Sequence, residues 1–166
     1  MSTSETSKLN SYLSFRLDEE TFATNVGSVL SILEMTRITK VPCSPAYLKG
    51  VINLRGEVLP VIDLRIKFGM SASEINSNTC ILVMEICLDN QDVKAGVIVD
   101  SVSEVHEIEQ EEILPPPSLA SKFRSEFMEG VYKDGDAFIM LLNMEKIFTY
   151  HELQVISSTV QIEEPA

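Results

Sequence analysis

The stretch YLKGVINLRGEVLPVIDLRIKF, Tyr47 to Phe68, decides the fold, because FMEGVYKDGDAFIMLLNMEKIF, Phe127 to Phe148, repeats it without a gap at an offset of 80. Tyr47 falls on Phe127, Gly50 on Gly130, Val51 on Val131, Asp63 on Asn143 and Phe68 on Phe148. Upstream the offset is 73: Val26 falls on Val99, Val29 on Val102 and Ile32 on Val105. Two unrelated amphipathic hairpins can share a pattern, but here apolar, glycine and turn positions agree together. The expectation is a mainly β chain of two similar units of about five strands each.

In the first copy, Leu13, Phe15 and Leu17 alternate with Ser14 and Arg16, the period of a half-buried strand, and Asp18-Glu19-Glu20 supplies a turn before a second strand around Phe22 to Val26. Ser44-Pro45, with Gly50 beyond, predicts a short helix with Ser44 as N-cap, Pro45 at its first position and Gly50 after its last turn. Strands Val51 to Leu54 and Val58 to Leu64 flank the Arg55-Gly56-Glu57 turn, and Pro60, lacking an N–H, places its strand at an edge or a bulge. The expected boundaries are a tail over 1–11, a first β-barrel subdomain over 12–70, a polar linker SASEINSNT over 71–79, a second subdomain over 80–155 ending in a helix near Tyr150 to Val155, and a tail over 156–166. Glu109 to Ser118, with its PPPS run, is expected to be an extended connection. Neither unit is generous in core by itself, so the two are expected to pack on each other.

The totals narrow the function. With 166 residues, 45% of them hydrophobic, the chain can bury a real core without disulfides. A formal charge of −12 repels nucleic acid and anionic membrane alike. Cys43, Cys80 and Cys87 are odd in number and lack C-x-x-C spacing, so they read as small buried hydrophobes of a reducing compartment. No apolar run approaches the roughly 20 residues of a membrane span, and the first residues do not read as a signal peptide, so a soluble cytoplasmic protein is expected. Enzymatic chemistry finds little to work with. Only His106 and His151 are available as bases, and His106, among alternating apolar residues, is expected to face solvent. Glu104, Glu107, Glu109, Glu111 and Glu112 read as a solvated acidic face, and no phosphate-binding glycine motif is present. No catalytic, cofactor or metal site is therefore expected.

What remains is surface. Between Thr36 and Lys67 lie Arg37, Lys40, Lys49, Arg55, Arg65 and Lys67 against only Glu57 and Asp63, a basic island in an acidic chain, suited to a specific acidic partner. The equivalent hairpin tip in the second copy, Lys133-Asp134-Gly135-Asp136, turns without arginine. Arg55 is thus additional to what the turn needs, and arginine is favoured at binding hot spots.

KGVINLRGEVLPVIDLR resembles the signature of the CheW family, the coupling proteins of bacterial chemotaxis, and the resemblance extends through ITKVP, Ile38 to Pro42, and AGVIVDSVSEV, Ala95 to Val105. It implies two five-stranded SH3-like β-barrels packed on each other with short helices, and no catalytic activity. The implied partners are the regulatory domain of a CheA-type histidine kinase and the cytoplasmic tips of methyl-accepting chemoreceptors, with the protein recruited to membrane-associated receptor arrays. Contacts carry over to Val29, Thr39, Gly50, Arg55, Val102 and Val105. Ser31 stands where many relatives have a glutamate, with Glu34 three residues on, so a glutamate contact there is not implied. Two other functions stay open beside the adaptor: a β-barrel holding a small molecule at the junction, and a small thiol-dependent enzyme using Cys43 or His106.

Overall fold

The structure, a computed structural model, describes residues 11–71, 74–88, 90–115 and 127–148. The alternating N-terminal residues form an antiparallel hairpin, β1 (Ser11–Leu17) and β2 (Glu20–Asn25), with Leu13, Phe15 and Leu17 buried and Arg16 exposed. A single 3-10 turn, Val26–Ser28, leads to β3 (Val29–Glu34). The opening stretch becomes the hairpin β4 (Leu48–Leu54) and β5 (Glu57–Asp63), followed by a one-turn helix, α1 (Leu64–Lys67). The second copy gives β6 (Cys80–Leu88), β7 (Gln91–Val99), β8 (Ser101–Glu107), the two-residue β9 (Ile113–Leu114), β10 (Met128–Asp134), β11 (Ala137–Leu142) and a second one-turn helix, α2 (Met144–Ile147).

The strands make two SH3-like barrels, and the two copies share them. One sheet runs β8-β1-β2-β11-β10-β9 and the other β3-β6-β7-β5-β4. Each barrel takes its first hairpin from one copy and its remaining strands from the other. Under the repeat, the two sheets match residue for residue. Phe15 faces Val102 in one and Met84 faces Val29 in the other, each beside a register shift. Leu141 pairs with Ala23 as Val61 pairs with Gly96, both parallel. A bulge lies between Leu48 and Gly50 and again between Met128 and Gly130. Asp63 and Asn143 each cap their helix, accepting from the N–H two residues on at 3.0 Å. In the second sheet the place of β9 is taken by a single bridge, Thr39 to Val51.

Two expectations about organisation are corrected. The segment 71–79 does not divide the two sheets, since β3 to β7, which flank it, lie in one sheet while β1 and β2 join strands beyond residue 100. The repeat is legible along the chain, but backbone pairing between copies is a long-range choice that periodicity does not encode. The helix expected at 45–49 is absent: a turn closes through the Leu48 N–H to Pro45 O bond of 3.0 Å, and Lys49 and Gly50 belong to β4. Gly50 serves close approach, because a Cβ there would collide with the Thr39 carbonyl and Ile38. Pro60 lies in an inner strand, facing Val51, just before β5 begins its parallel pairing with β7 at Val61. Its missing donor therefore falls where the strand has one partner. The helix expected near 150–155 and the tail over 156–166 lie outside the described residues, as does the end of the PPPS connection.

Three apolar clusters hold this together. Ile52, Leu59, Val61, Ile81, Val83 and Ile98 fill one barrel, and Tyr12, Ala23, Ile108, Ile139 and Leu141 fill the other. The largest cluster lies between them and includes Phe15, Phe22, Ile62, Leu82, Met84, Val97, Leu142 and Phe148. Rings run through it from Phe15 to Phe22 at 6.1 Å, on to Phe68 at 5.8 Å and to Phe127 at 6.1 Å. Each fully buried large side chain contributes about 1.5–3 kcal/mol. Arg65 adds a polar clamp at the rim, meeting Asp18 at 3.3 Å and Asp100 at 3.2 Å and donating to the Ser71 carbonyl at 3.2 Å. It ties the helix after β5 to the β1–β2 turn of the other barrel.

Candidate partner-binding surface

Arg55 and Gly56 form the two-residue turn between Leu54 and Glu57, with φ of 53° and 86°. Both central residues are left-handed, the geometry that suits a twisted hairpin, and the Gly56 N–H donates to Asn53 Oδ1 at 2.9 Å. In the second copy Gly135, φ 64°, occupies the Arg55 position. An L-residue is therefore held where its twin is glycine, at a conformational cost that the turn does not require. Arg55 is exposed, and no ion pair among the described residues involves it. Asp63 is fully buried and engaged as a helix cap, and Glu57 pairs with Lys94 at 3.6 Å, so neither folds Arg55 back onto the turn.

Arg55 borders a groove of about 400 Å³ lined also by Leu30, Ser31, Leu33, Leu54, Glu57, Val83 and Lys94. Leu30 is 48% exposed at its edge, so an apolar lip lies beside two cationic heads. The structure thus brings Ser31 and Arg55 to one groove. It brings Thr39 and Gly50 together elsewhere, through paired backbone bonds between Thr39 and Val51 of 2.9 and 2.8 Å. Val29 and Val102, half-buried, occupy the equivalent places on β3 and β8 and pack against the core between the barrels. Val105 stands 56% exposed on β8, and its twin Ile32 is 47% exposed on β3. Among the described residues both strands have a neighbour on one side only, which leaves two sheet edges carrying apolar side chains.

The basic island is smaller than its sequence suggests. Arg65 is spent in the clamp, and Lys67 lies over the Tyr47 ring at 4.5 Å and the Phe148 ring at 5.7 Å. Arg37, Lys40 and Arg55 remain exposed. Lys94, missed in the sequence because it lies on the other copy's hairpin, joins Arg55 at the groove. The cysteines depart from expectation: Cys43 and Cys87 are exposed and Cys80 is half-buried, all three as free thiols. His106 also departs. Its side chain is 14% exposed and faces Glu104 and the Tyr132 ring, because the β8 bulge sets its register on the barrel side.

A pair of barrels that keeps its cores closed and presents an arginine-tipped hairpin, a cationic groove and two apolar sheet edges defines a class: a scaffold or adaptor domain. The chain belongs to the CheW-like domain family, whose profile matches residues 11–152. It is 30% identical over 146 residues to the chemotaxis protein CheW of Treponema pallidum, covering 88% of this chain and 86% of that one. It is 34% identical over 140 residues to the CheW of Rhizobium meliloti, covering 84% and 88%. The crystal structure of the scaffolding protein TtCheW from Thermoanaerobacter tengcongensis matches with a TM-score of 0.76 and 34% identity, covering 86% of this chain and 90% of that one. The two-barrel architecture and the role of a chemotaxis coupling adaptor follow from this membership.

Proposed function

We propose that this chain couples the cytoplasmic tips of methyl-accepting chemoreceptors to the regulatory domain of a CheA-type histidine kinase, without catalysis of its own. The observation that carries the coupling surface is Arg55, held left-handed and unpaired beside an apolar lip where the duplicated turn has glycine. Its guanidinium offers a fork of donors to a partner carboxylate, and Leu30 and Ile32 offer apolar area beside it. Val29, Val102 and Val105 supply the apolar remainder, and the Thr39–Val51 bridge, closed over Gly50, keeps the β4 hairpin in register. Ser31, small and polar in the groove, leaves the receptor contact there to Arg55 and Lys94. No helix among the described residues is long and apolar enough to cross a membrane, so array localisation would come through the receptors. A thiol–imidazole enzyme has less support. Cys43 precedes β4 in one barrel and His106 lies on β8 in the other, with no contact between them among the described residues.

The test is Arg55→Ala in pull-down and calorimetry with a kinase regulatory domain and with receptor cytoplasmic fragments. Alanine keeps the same backbone requirement, so the melting midpoint should hold, with stability changed by less than about 0.5 kcal/mol. Partner affinity should fall by more than roughly 1 kcal/mol. A variant that melts several degrees early yet binds both partners normally would assign Arg55 to the turn instead.

A further inference from the structure

In the barrel built on β1, β2 and β8 to β11, β8 and β10 share no ladder, yet side chains of the two strands meet. Glu104 lies in the β8 bulge, two residues before His106, with its carboxylate beside the imidazole. Asp134 ends β10, two residues after Tyr132, whose ring meets the His106 ring at 6.2 Å. The imidazole Nε2 is 3.6 Å from Glu104 Oε1, and one ligand atom from each of Glu104, His106 and Asp134 lies within 4.8 Å of the other two.

The duplication supplies an internal control. The twins of Glu104, His106 and Asp134 are Ser31, Leu33 and Leu54, and in that barrel Leu33 and Leu54 simply pack against the interior cluster. Closing this fold therefore requires no polar group at these positions. Here two carboxylates instead converge on a nearly buried imidazole in a chain of net charge −12, an arrangement whose repulsion a divalent cation would relieve.

We propose that Glu104, His106 and Asp134 bind a first-row divalent transition metal, with zinc the best fit, that staples the β8–β10 seam. One imidazole nitrogen and two carboxylate oxygens form a mixed N/O set that suits zinc over magnesium or calcium, which take oxygen alone. Metal–ligand bonds of about 2.0–2.2 Å place tetrahedral ligand atoms roughly 3.4 Å apart. Glu104, with its side chain 70% exposed, is free to swing inward by the difference, while the Tyr132 ring holds His106 in place. Water completes the tetrahedron. This site lies on the other barrel from Arg55, but its β8 ligands flank Val105 of the proposed coupling surface.

The experiment titrates zinc alone into the full chain, stripped with chelator, by calorimetry, with cobalt substitution followed by visible absorption. The background carries Cys43→Ser and Cys87→Ser, since exposed thiols also take zinc. One equivalent should bind in this background, and a hundredfold excess over Kd should raise the melting midpoint by roughly 5 to 10 °C. His106→Ala should weaken binding at least about tenfold, and so should Glu104→Gln and Asp134→Asn, whose exposed positions leave the fold intact. The proposal is overturned by the absence of saturable binding, by loss of binding in the background lacking the two exposed thiols, or by unchanged affinity in Glu104→Gln and Asp134→Asn.

Discussion

Tyr12 shows how far the two copies have diverged at single positions. Its twin is Ile81, and both are buried inside their barrels, yet the Tyr12 hydroxyl donates to Glu129 Oε2 at 3.2 Å. Burial, then the charge of Glu129 and the hydrogen bond to it, push the phenol up to about 12 from its ordinary 10.0. The folded chain therefore holds this proton more tightly than the unfolded one. The contribution is fully present below pH 10 and is lost as pH rises from about 10 to 12, by on the order of 2–3 kcal/mol. Urea unfolding of wild type and Tyr12→Phe at pH 9 and pH 12 isolates it from the lysines and other tyrosines, which titrate in both. The wild type should lose more stability over that interval, and an equal loss in the two proteins would remove Tyr12 from the alkaline response. Arg55 makes the complementary point: its proposed role draws on Gly135, which holds the same position with positive φ in the second copy.

The bulged hairpins depend on glycine for different reasons at different places. Gly50, at φ 150°, has the Thr39 carbonyl where a Cβ would sit, whereas Gly56, at φ 86°, has open space around it. Gly56→Ala should cost about 1 kcal/mol through backbone conformation alone. Gly50→Ala must also push Thr39 out of its bridge and should cost at least about twice that, measured by urea unfolding. Equal costs would mean that the bridge is dispensable. The strands themselves were legible in the sequence, because Leu13, Phe15 and Leu17 need only a local period of two to declare a buried face. Gly50 was misread as a helix end because Ser44-Pro45 satisfies every local rule for a helix start, and the carbonyl that explains the glycine arrives from Thr39, on a different segment. Arg65 and His106 were misread as surface for the same reason: Asp18, Asp100 and Tyr132 are distant in the chain. The helix caps at Asp63 and Asn143 were visible as an aligned pair but not as caps.

At the scale of the molecule, the exchange of hairpins between copies follows from chain length. In a barrel made from the second copy alone, Val102 would have to face Met84, as Val29 does, while Val99 faces Cys80. Those two levels are four residues apart along the strand, about 13 Å, and β8 would lie two strand spacings from β7, about 10 Å, so the chain would have to span roughly 16 Å. Three residues fully extended reach only about 11 Å. The 3-10 turn Val26–Ser28 imposes the same limit on the first copy. Delivering the following strand to the other barrel is the connection that fits, and it makes each barrel a joint product whose large core lies between them. The chain cut at the polar segment, as residues 1–73 and 74–166, should therefore yield two fragments that are not folded monomers, despite each carrying a complete copy of the repeat. Mixed, they should assemble one to one and recover the sheet signal in circular dichroism with a single cooperative melt. Because the two copies share register, either fragment alone at high concentration could pair only with itself, through the same exchange, and would then sediment as a dimer. A fragment that sediments as a monomer and melts cooperatively would show that one copy can close its own barrel, and the reach argument would fail.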